Sequence, residues 1–178
     1  MHAQTNPLER IERLIRPIPD FPKPGILFRD ITPMLADPGA LALAVELMAN
    51  PFRGRKLDLV VGAESRGFIF GIALAQSLAC GFVPVRKPGK LPWKTVRESY
   101  ALEYGTDSIE IHHDAVTAGE RVIIVDDLLA TGGTLGACAK LVRSLGGDIA
   151  ACLVVIELGF LKGRERVAPH EVRSLLRY

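Results

Sequence analysis

Nowhere in the 178 residues do apolar side chains run on for the roughly 18 positions that a bilayer-spanning helix requires. A membrane partner is therefore not expected. The opening residues, Met1-His2-Ala3-Gln4-Thr5-Asn6, lack the basic-then-apolar order of a secretory signal. Cysteine is scarce and odd in number: Cys80, Cys138 and Cys152 sit in apolar sequence with no metal-binding spacing. They read as buried free thiols, which suits a reducing, cytoplasmic setting. Neither charge is in excess. Lysine and arginine number 22 against 20 aspartates and glutamates, a net +2, so charge gives no argument for a nucleic-acid partner. There is no internal repeat and no low-complexity tract. The common nucleotide motifs are also missing. Gly62-Ala63-Glu64-Ser65-Arg66-Gly67 has the spacing of a phosphate loop, but Phe68 stands where the lysine belongs. No strand pattern is followed by Gly-x-Gly-x-x-Gly. ATP-cleaving and dinucleotide-binding readings lose their support.

What is present is a 48% hydrophobic chain, long enough for one domain spanning 1–178 to bury a core. Its most informative stretch is Arg121-Val122-Ile123-Ile124-Val125-Asp126-Asp127-Leu128-Leu129-Ala130-Thr131-Gly132-Gly133-Thr134. The branched run Val122 to Val125 predicts a strand buried on both faces. Two carboxylates are expected at its C-terminal end. An apolar turn, a small-residue loop and an amphipathic helix from Leu135 to Leu145 follow.

The same grammar occurs earlier. Leu57 to Gly62 reads as a strand, Ala63 to Gly67 as a loop, and Phe68 to Ala79 as a helix. Before it, Asn6 is placed to cap a helix that starts at Pro7, with Leu8, Ile11, Leu14 and Ile15 on one face and Pro17 and Pro19 ending it. Asp20 to Asp30 reads as an irregular connector stiffened by prolines. It also holds Phe21, Phe28 and Arg29 in a rigid frame, which would suit a flat aromatic ligand. Asp37-Pro38 starts a helix to about Ala49, with Leu41, Val45 and Met48 inward. Phe82 to Val85 is a short strand whose Pro84 argues for an irregular or edge position. Arg86 to Arg97 is basic and broken by proline and glycine, so no regular element is expected there. Its Trp93 is either a lid residue or simply exposed. Ser99–Tyr104 and Ser108–His113 alternate as a hairpin around Gly105-Thr106-Asp107. Ile149 to Glu157, a helical piece over Leu161–Val167 and a strand at Val172–Leu176 complete an α/β fold with a mainly parallel central sheet flanked by helices.

In such a sheet, ligands sit beyond the C-terminal strand ends. The small residues after Asp127 allow close backbone approach, and a following helix N-terminus favours an anion. Thr131 and Thr134 add hydroxyl donors, so a phosphate monoester is the expected guest. Asp126 and Asp127 would repel that phosphate. They suit sugar hydroxyls, a divalent cation, or both. His112 and His113 are adjacent on a strand and so point to opposite faces. They read as surface or hydrogen-bonded histidines rather than ligands.

The stretch Val125 to Thr134 resembles the phosphoribosyl-pyrophosphate (PRPP) signature of the type I phosphoribosyltransferases, and more narrowly of the adenine-using branch. Asp20 to Pro33, Glu64 to Phe68, Arg86 to Pro92, Ser99 to Gly105 and Leu161 to Glu165 extend the resemblance along nearly the whole chain. It implies transfer of phosphoribosyl from PRPP to adenine with Mg²⁺, through an oxocarbenium-like transition state, in a homodimer. Ala130, Thr131, Gly132, Gly133 and Thr134 would cradle the 5-phosphate. Asp126 and Asp127 would hold the ribose hydroxyls, and Mg²⁺ would be held mainly by PRPP. Glu64, Ser65 and Arg66 would form the pyrophosphate loop, with a cis peptide between Glu64 and Ser65. Lys87 would pair with pyrophosphate oxygens. Residues 1–34 would form an N-terminal helix and hood over adenine, with Leu27, Phe28 and Arg29 contacting the base and Arg66 bordering it. Residues 87–108 would form a mobile β-hairpin lid, and Glu103 would hydrogen-bond the base or handle its proton. Two other readings share the fold: transfer to another base, and non-catalytic sensing of PRPP or purines.

Overall fold

A computed structural model describes residues 6–101 and 105–178. The chain divides into two compact units at the Leu47–Met48 bond. In the first, helix α1 (Pro7–Arg13) is capped by Asn6, whose Oδ1 accepts the Leu8 N–H at 3.1 Å. The cap, the proline at the first turn and the buried Ile11 follow the sequence pattern. The next segment departs from it. Arg16–Pro19 (β1) and Leu27–Asp30 (β2) form an antiparallel pair in which Pro17 faces Arg29 and Ile18 faces Phe28. Prolines are tolerated here because the ribbon has only two strands, so each has an outer edge that needs no donor. The short helix α2 (Thr32–Ala36) precedes α3 (Pro38–Ala49). In α3 the buried line is Ala40, Ala44 and Met48, with Leu41 and Val45 only partly covered.

The second unit is built on a five-stranded parallel sheet, ordered β4-β3-β7-β8-β9. Its strands are β3 (Leu59–Ala63), β4 (Gly81–Val85), β7 (Arg121–Leu129), β8 (Asp148–Glu157) and β9 (Val172–Arg177). Pro84 does lie in an edge strand. Val122 to Val125 are fully buried, as a central parallel strand demands. One face carries Val61, Val83, Ile124 and Val154 in a cluster with α5 (Gly133–Ser144) through Leu135, Cys138 and Val142. Helix α4 (Gly67–Leu78) packs on the other face, where a Cβ on Gly71 would meet Phe82 and Val125. Chain order runs outward to β4 on one side of β3 and to β8 and β9 on the other side of β7. The switch therefore falls between β3 and β7, where a crevice is expected.

The remaining strands are β5 (Thr95–Ala101) and β6 (Thr106–His112), an antiparallel hairpin. It begins at Thr95, four residues before the alternation suggests, and takes the end of the supposedly irregular basic segment with it. An isolated bridge between Arg86 and Glu110 ties that segment to the hairpin. The helical piece after β8 is a 3₁₀ turn at Gly159–Leu161 followed by α6 (Arg164–Val167). Cys138 and Cys152 are buried free thiols as expected, whereas Cys80 is only half-buried. His113 lies near Asp114, but the buried Nε2 of His112 has no hydrogen-bond partner among the described residues, contrary to expectation. No helix among the described residues is long and apolar enough to cross a membrane.

Candidate active site

The β3–α4 and β7–α5 loops meet over a cavity of about 360 Å³ at the C-terminal end of the sheet. It is lined by Glu64, Ser65 and Arg66, by Lys87 and Tyr100, and by the run from Asp126 to Leu135. The Glu64–Ser65 peptide is cis. Gly67 opens α4, and a Cβ there would meet the Val125 carbonyl at 2.8 Å and Asp126 Oδ1 at 3.2 Å. Only glycine lets the helix start this close to the acidic pair.

The acidic pair does not follow the strand, as the sequence suggests. It lies within it. β7 pairs with β3 only as far as Val125, but with β8 on to Leu129. The two carboxylates therefore occupy a ladder that is free on its β3 side, and as neighbours on a strand they diverge. Asp127 is buried, and Arg66 Nε lies 2.5 Å from its Oδ2. Asp126 Oδ1 accepts the Asp127 N–H at 2.9 Å. Burial, and then the neighbouring Asp127 charge, push the Asp126 carboxyl well above the usual carboxylate range.

The phosphate loop owes its shape to backbone packing. Gly132 has φ +81°, and a Cβ on it would collide with the Gly163 carbonyl. Gly163 in turn has no room for a Cβ beside the Ala130 carbonyl. As N-cap of α5, Gly132 supplies no side-chain acceptor. The first N–H groups of the helix are thus available to an anion. Behind this loop, Glu157 is held by Arg164 at 2.8 and 2.7 Å and by Ser174 at 2.8 Å, which fixes the start of α6 next to Gly163.

Glu64 lines the cavity, but its carboxylate is occupied. It accepts the Lys87 N–H at 3.0 Å and Lys90 Nζ at 3.1 Å, and Arg86 Nε lies at 3.3 Å. Burial opposes ionisation, yet the bond from the Lys87 N–H, then Lys90 and Arg86, hold its pKa at about 2. Lys87 forms an ion pair with Asp107. Tyr100 Oη donates to Asp107 Oδ2 at 3.1 Å and accepts from Lys87 Nζ and Thr134 Oγ1, each at 3.4 Å. Sequence reasoning assigned no role to Tyr100 or Asp107. The sequence places Asp107 in the hairpin turn, whereas in the structure it lies on β6 as the direct cross-strand partner of Tyr100.

Leu27, Phe28 and Arg29 lie on β2 in the first unit, with Phe28 edge-to-face on Phe21 at 5.2 Å. Glu103 falls outside the described residues. Trp93, in the connection from β4 to β5, is 60% exposed. Among the described residues no three His, Cys, Asp or Glu side chains gather as a metal cage. Asp126 and Asp127 offer oxygen only. That suits a hard cation such as Mg²⁺, which keeps its waters and binds mainly to substrate phosphates.

The sequence pattern of the family described as phosphoribosyl transferase domain matches residues 33–174. The adenine phosphoribosyltransferase of Acidobacterium capsulatum is 57% identical over 170 residues, covering 96% of this chain and 94% of its own. A crystal structure of adenine phosphoribosyltransferase from Thermoanaerobacter pseudethanolicus aligns with a TM-score of 0.93 at 56% identity, over 96% of this chain and 99% of that one. The Saccharomyces cerevisiae enzyme, complexed with D-2,5-dideoxy-2,5-imino-altritol 1,6-bisphosphate and adenine, aligns with a TM-score of 0.91 at 41% identity, over 96% and 98%.

Proposed function

Because this chain belongs to the phosphoribosyltransferase family, with the adenine phosphoribosyltransferases, we infer that it transfers the 5-phosphoribosyl group of PRPP to adenine, giving AMP and pyrophosphate. The observation that carries the inference is the meeting, in one cavity, of a glycine-lined anion loop, two carboxylates and two cations from separate loops.

In this reading Ala130 to Thr134 seat the 5-phosphate on the N-terminus of α5. Asp126 and Asp127 accept from the ribose hydroxyls. Ser65, Arg66 and Lys87 bind the diphosphate. The Glu64 side chain carries no donor and its backbone N–H is given to the Val85 carbonyl at 2.9 Å, so its occupied carboxylate makes it the brace of the Lys87 loop rather than a phosphate ligand. Leu27, Phe28 and Arg29 contact the base, and Glu103 takes or positions a proton of adenine. Mg²⁺, held mainly by PRPP with Asp126 and Asp127 available to it, neutralises the diphosphate charge when bound.

The C1–O bond breaks and both its electrons leave with the diphosphate. Arg66 and Lys87 stabilise that growing negative charge. The sugar becomes oxocarbenium-like, N9 of adenine forms the new bond to C1, and the N9 proton passes to the released diphosphate or to water. Alignment of the two reactants supplies the rest of the acceleration, so no enzymic nucleophile is required. Closure of residues 87–108 would keep water from the sugar cation. Ile69 and Ile72, exposed one turn apart on α4, support the homodimer usual in the family.

The test is to incubate the protein with Mg²⁺-PRPP and each base in turn, following pyrophosphate release. Turnover with adenine is expected. Preference for a 6-oxopurine would overturn the choice of base, and no turnover with any base would overturn the reaction.

A further inference from the structure

Both cations assigned to the diphosphate already face carboxylates, Arg66 with Asp127 and Lys87 with Asp107. Asp127 has a use of its own in the reaction. Asp107 has none. It stands on β6 directly opposite Tyr100 on β5. Lys87 and Tyr100 line the cavity, whereas Asp107 does not, so the carboxylate sits behind the lysine rather than among the ligand-facing groups. Its place is well defined. Oδ1 accepts the Ser108 N–H at 2.8 Å, and Oδ2 takes the Tyr100 hydroxyl as well as Lys87. Tyr100 completes the unit. Its ring lies against Gly133, where a Cβ would be 2.8 Å from Cδ2, and its hydroxyl meets Thr134. One hydrogen-bonded chain thus runs from Asp107 through Tyr100 to the loop that seats the 5-phosphate, with Lys87 as a branch.

A lysine left without a carboxylate partner in the cavity that Arg66 also lines would hold any passing phosphate, and would hold the pyrophosphate product as firmly as the substrate. A fixed carboxylate behind it changes the competition. An anion must outbid one negative charge, and a diphosphate carries more charge than a simple phosphate. We propose that Asp107 is a positioning and selectivity residue: an internal counter-ion that holds Lys87 beside Tyr100 and releases it to a diphosphate in preference to a monophosphate. This rests on the diphosphate role given to Lys87 above. It makes Asp107 weaken anion binding, the opposite of what a residue that merely aims Lys87 at substrate would do.

The sign is therefore the test. Wild-type protein, Asp107→Asn and Asp107→Glu are titrated by calorimetry with pyrophosphate and, separately, with inorganic phosphate. The KM for PRPP and inhibition by pyrophosphate are measured alongside. Asp107→Asn should bind pyrophosphate about three- to five-fold more tightly, the scale of a half-exposed ion pair. Its preference for pyrophosphate over phosphate should narrow, its KM for PRPP should fall and product inhibition should tighten. Asp107→Glu should restore wild-type affinity. In a Lys87→Met background the Asp107→Asn effect should vanish. Unchanged or weaker pyrophosphate binding in Asp107→Asn overturns the proposal, as does an effect that persists without Lys87. Absence of turnover with these titrations as expected would overturn the reaction instead and leave the counter-ion standing.

Discussion

Arg66 Nε lies 2.5 Å from Asp127 Oδ2, so a loop after β3 and a strand two positions later in the chain's sheet-building order are joined by charge at the point where ligand must bind. The two acids of the pair are consequently unequal. Asp127 is matched by a cation, while Asp126 is pushed toward its neutral form by burial and then by Asp127. Asp127→Asn should lower kcat/KM by about 100-fold, the loss of a hydrogen bond to a charged group. Asp126→Asn imitates a protonated carboxyl and should cost about tenfold. The double variant should be inactive with an unchanged circular dichroism spectrum. Equal losses in the two single variants would contradict the assignment.

Gly132→Ala combines two penalties. A left-handed φ costs a non-glycine residue about 1–2 kcal/mol, and the new methyl group would strike the Gly163 carbonyl. A total near 3 kcal/mol is expected, which lowers Tm by about 6–12 °C in a chain of this size. The KM for PRPP should rise in the same variant, because the loop that moves is the one that seats the phosphate. Thermal melts and initial rates check both.

The Glu64 carboxylate has a folded pKa of about 2 against 4.5 for an ordinary glutamate. The unfolded chain therefore binds its proton first. The stability that Glu64 contributes is complete above about pH 4.5 and is lost as pH falls through about 2. Glu64→Gln should melt below wild type at pH 7, and the gap should close progressively between those limits. Asp30, held at about 2 by the Thr32 N–H and then by Arg16, adds to the same window. Melting curves from pH 2 to 7 give the comparison.

Glu157 and Arg164 offer an asymmetric pair. The glutamate side chain is 3% exposed and the arginine 46%. Among the described residues, removing the arginine leaves the buried carboxylate with Ser174 at 2.8 Å and the longer 3.6 Å ion pair to the exposed Arg177. Arg164→Ala should cost about 3 kcal/mol, whereas Glu157→Gln, which frees an arginine that water can reach, should cost about 1 kcal/mol. Chemical denaturation measures each. A reversed order would mean that the pair is held by the arginine's packing.

Most of the second unit could be read from the chain because its signals are local: the Val122–Val125 run and Pro84 in its edge strand. The β1–β2 ribbon could not. Its prolines argue against strands, and what overrides them is a partner strand about ten residues away, invisible to a short window. The acidic pair was placed correctly in the sequence but wrongly in the fold. Nothing local reveals that β8 outlasts β3 as a neighbour of β7 and so carries the strand on through Asp126 and Asp127. Tyr100 and Asp107 were hidden for a different reason. Asp107 follows Gly105-Thr106 and passes for turn chemistry, and its link to Lys87 spans 20 residues.

The single tryptophan of the chain, Trp93, stands in the connection that leaves Lys87 and leads into the strand of Tyr100. Indole emission from this protein therefore has one source, and that source is in the segment expected to close. The sheet and the phosphate loop contribute no background. A blue shift or quench on adding PRPP would report the movement of one loop directly, in unlabelled protein and in real time.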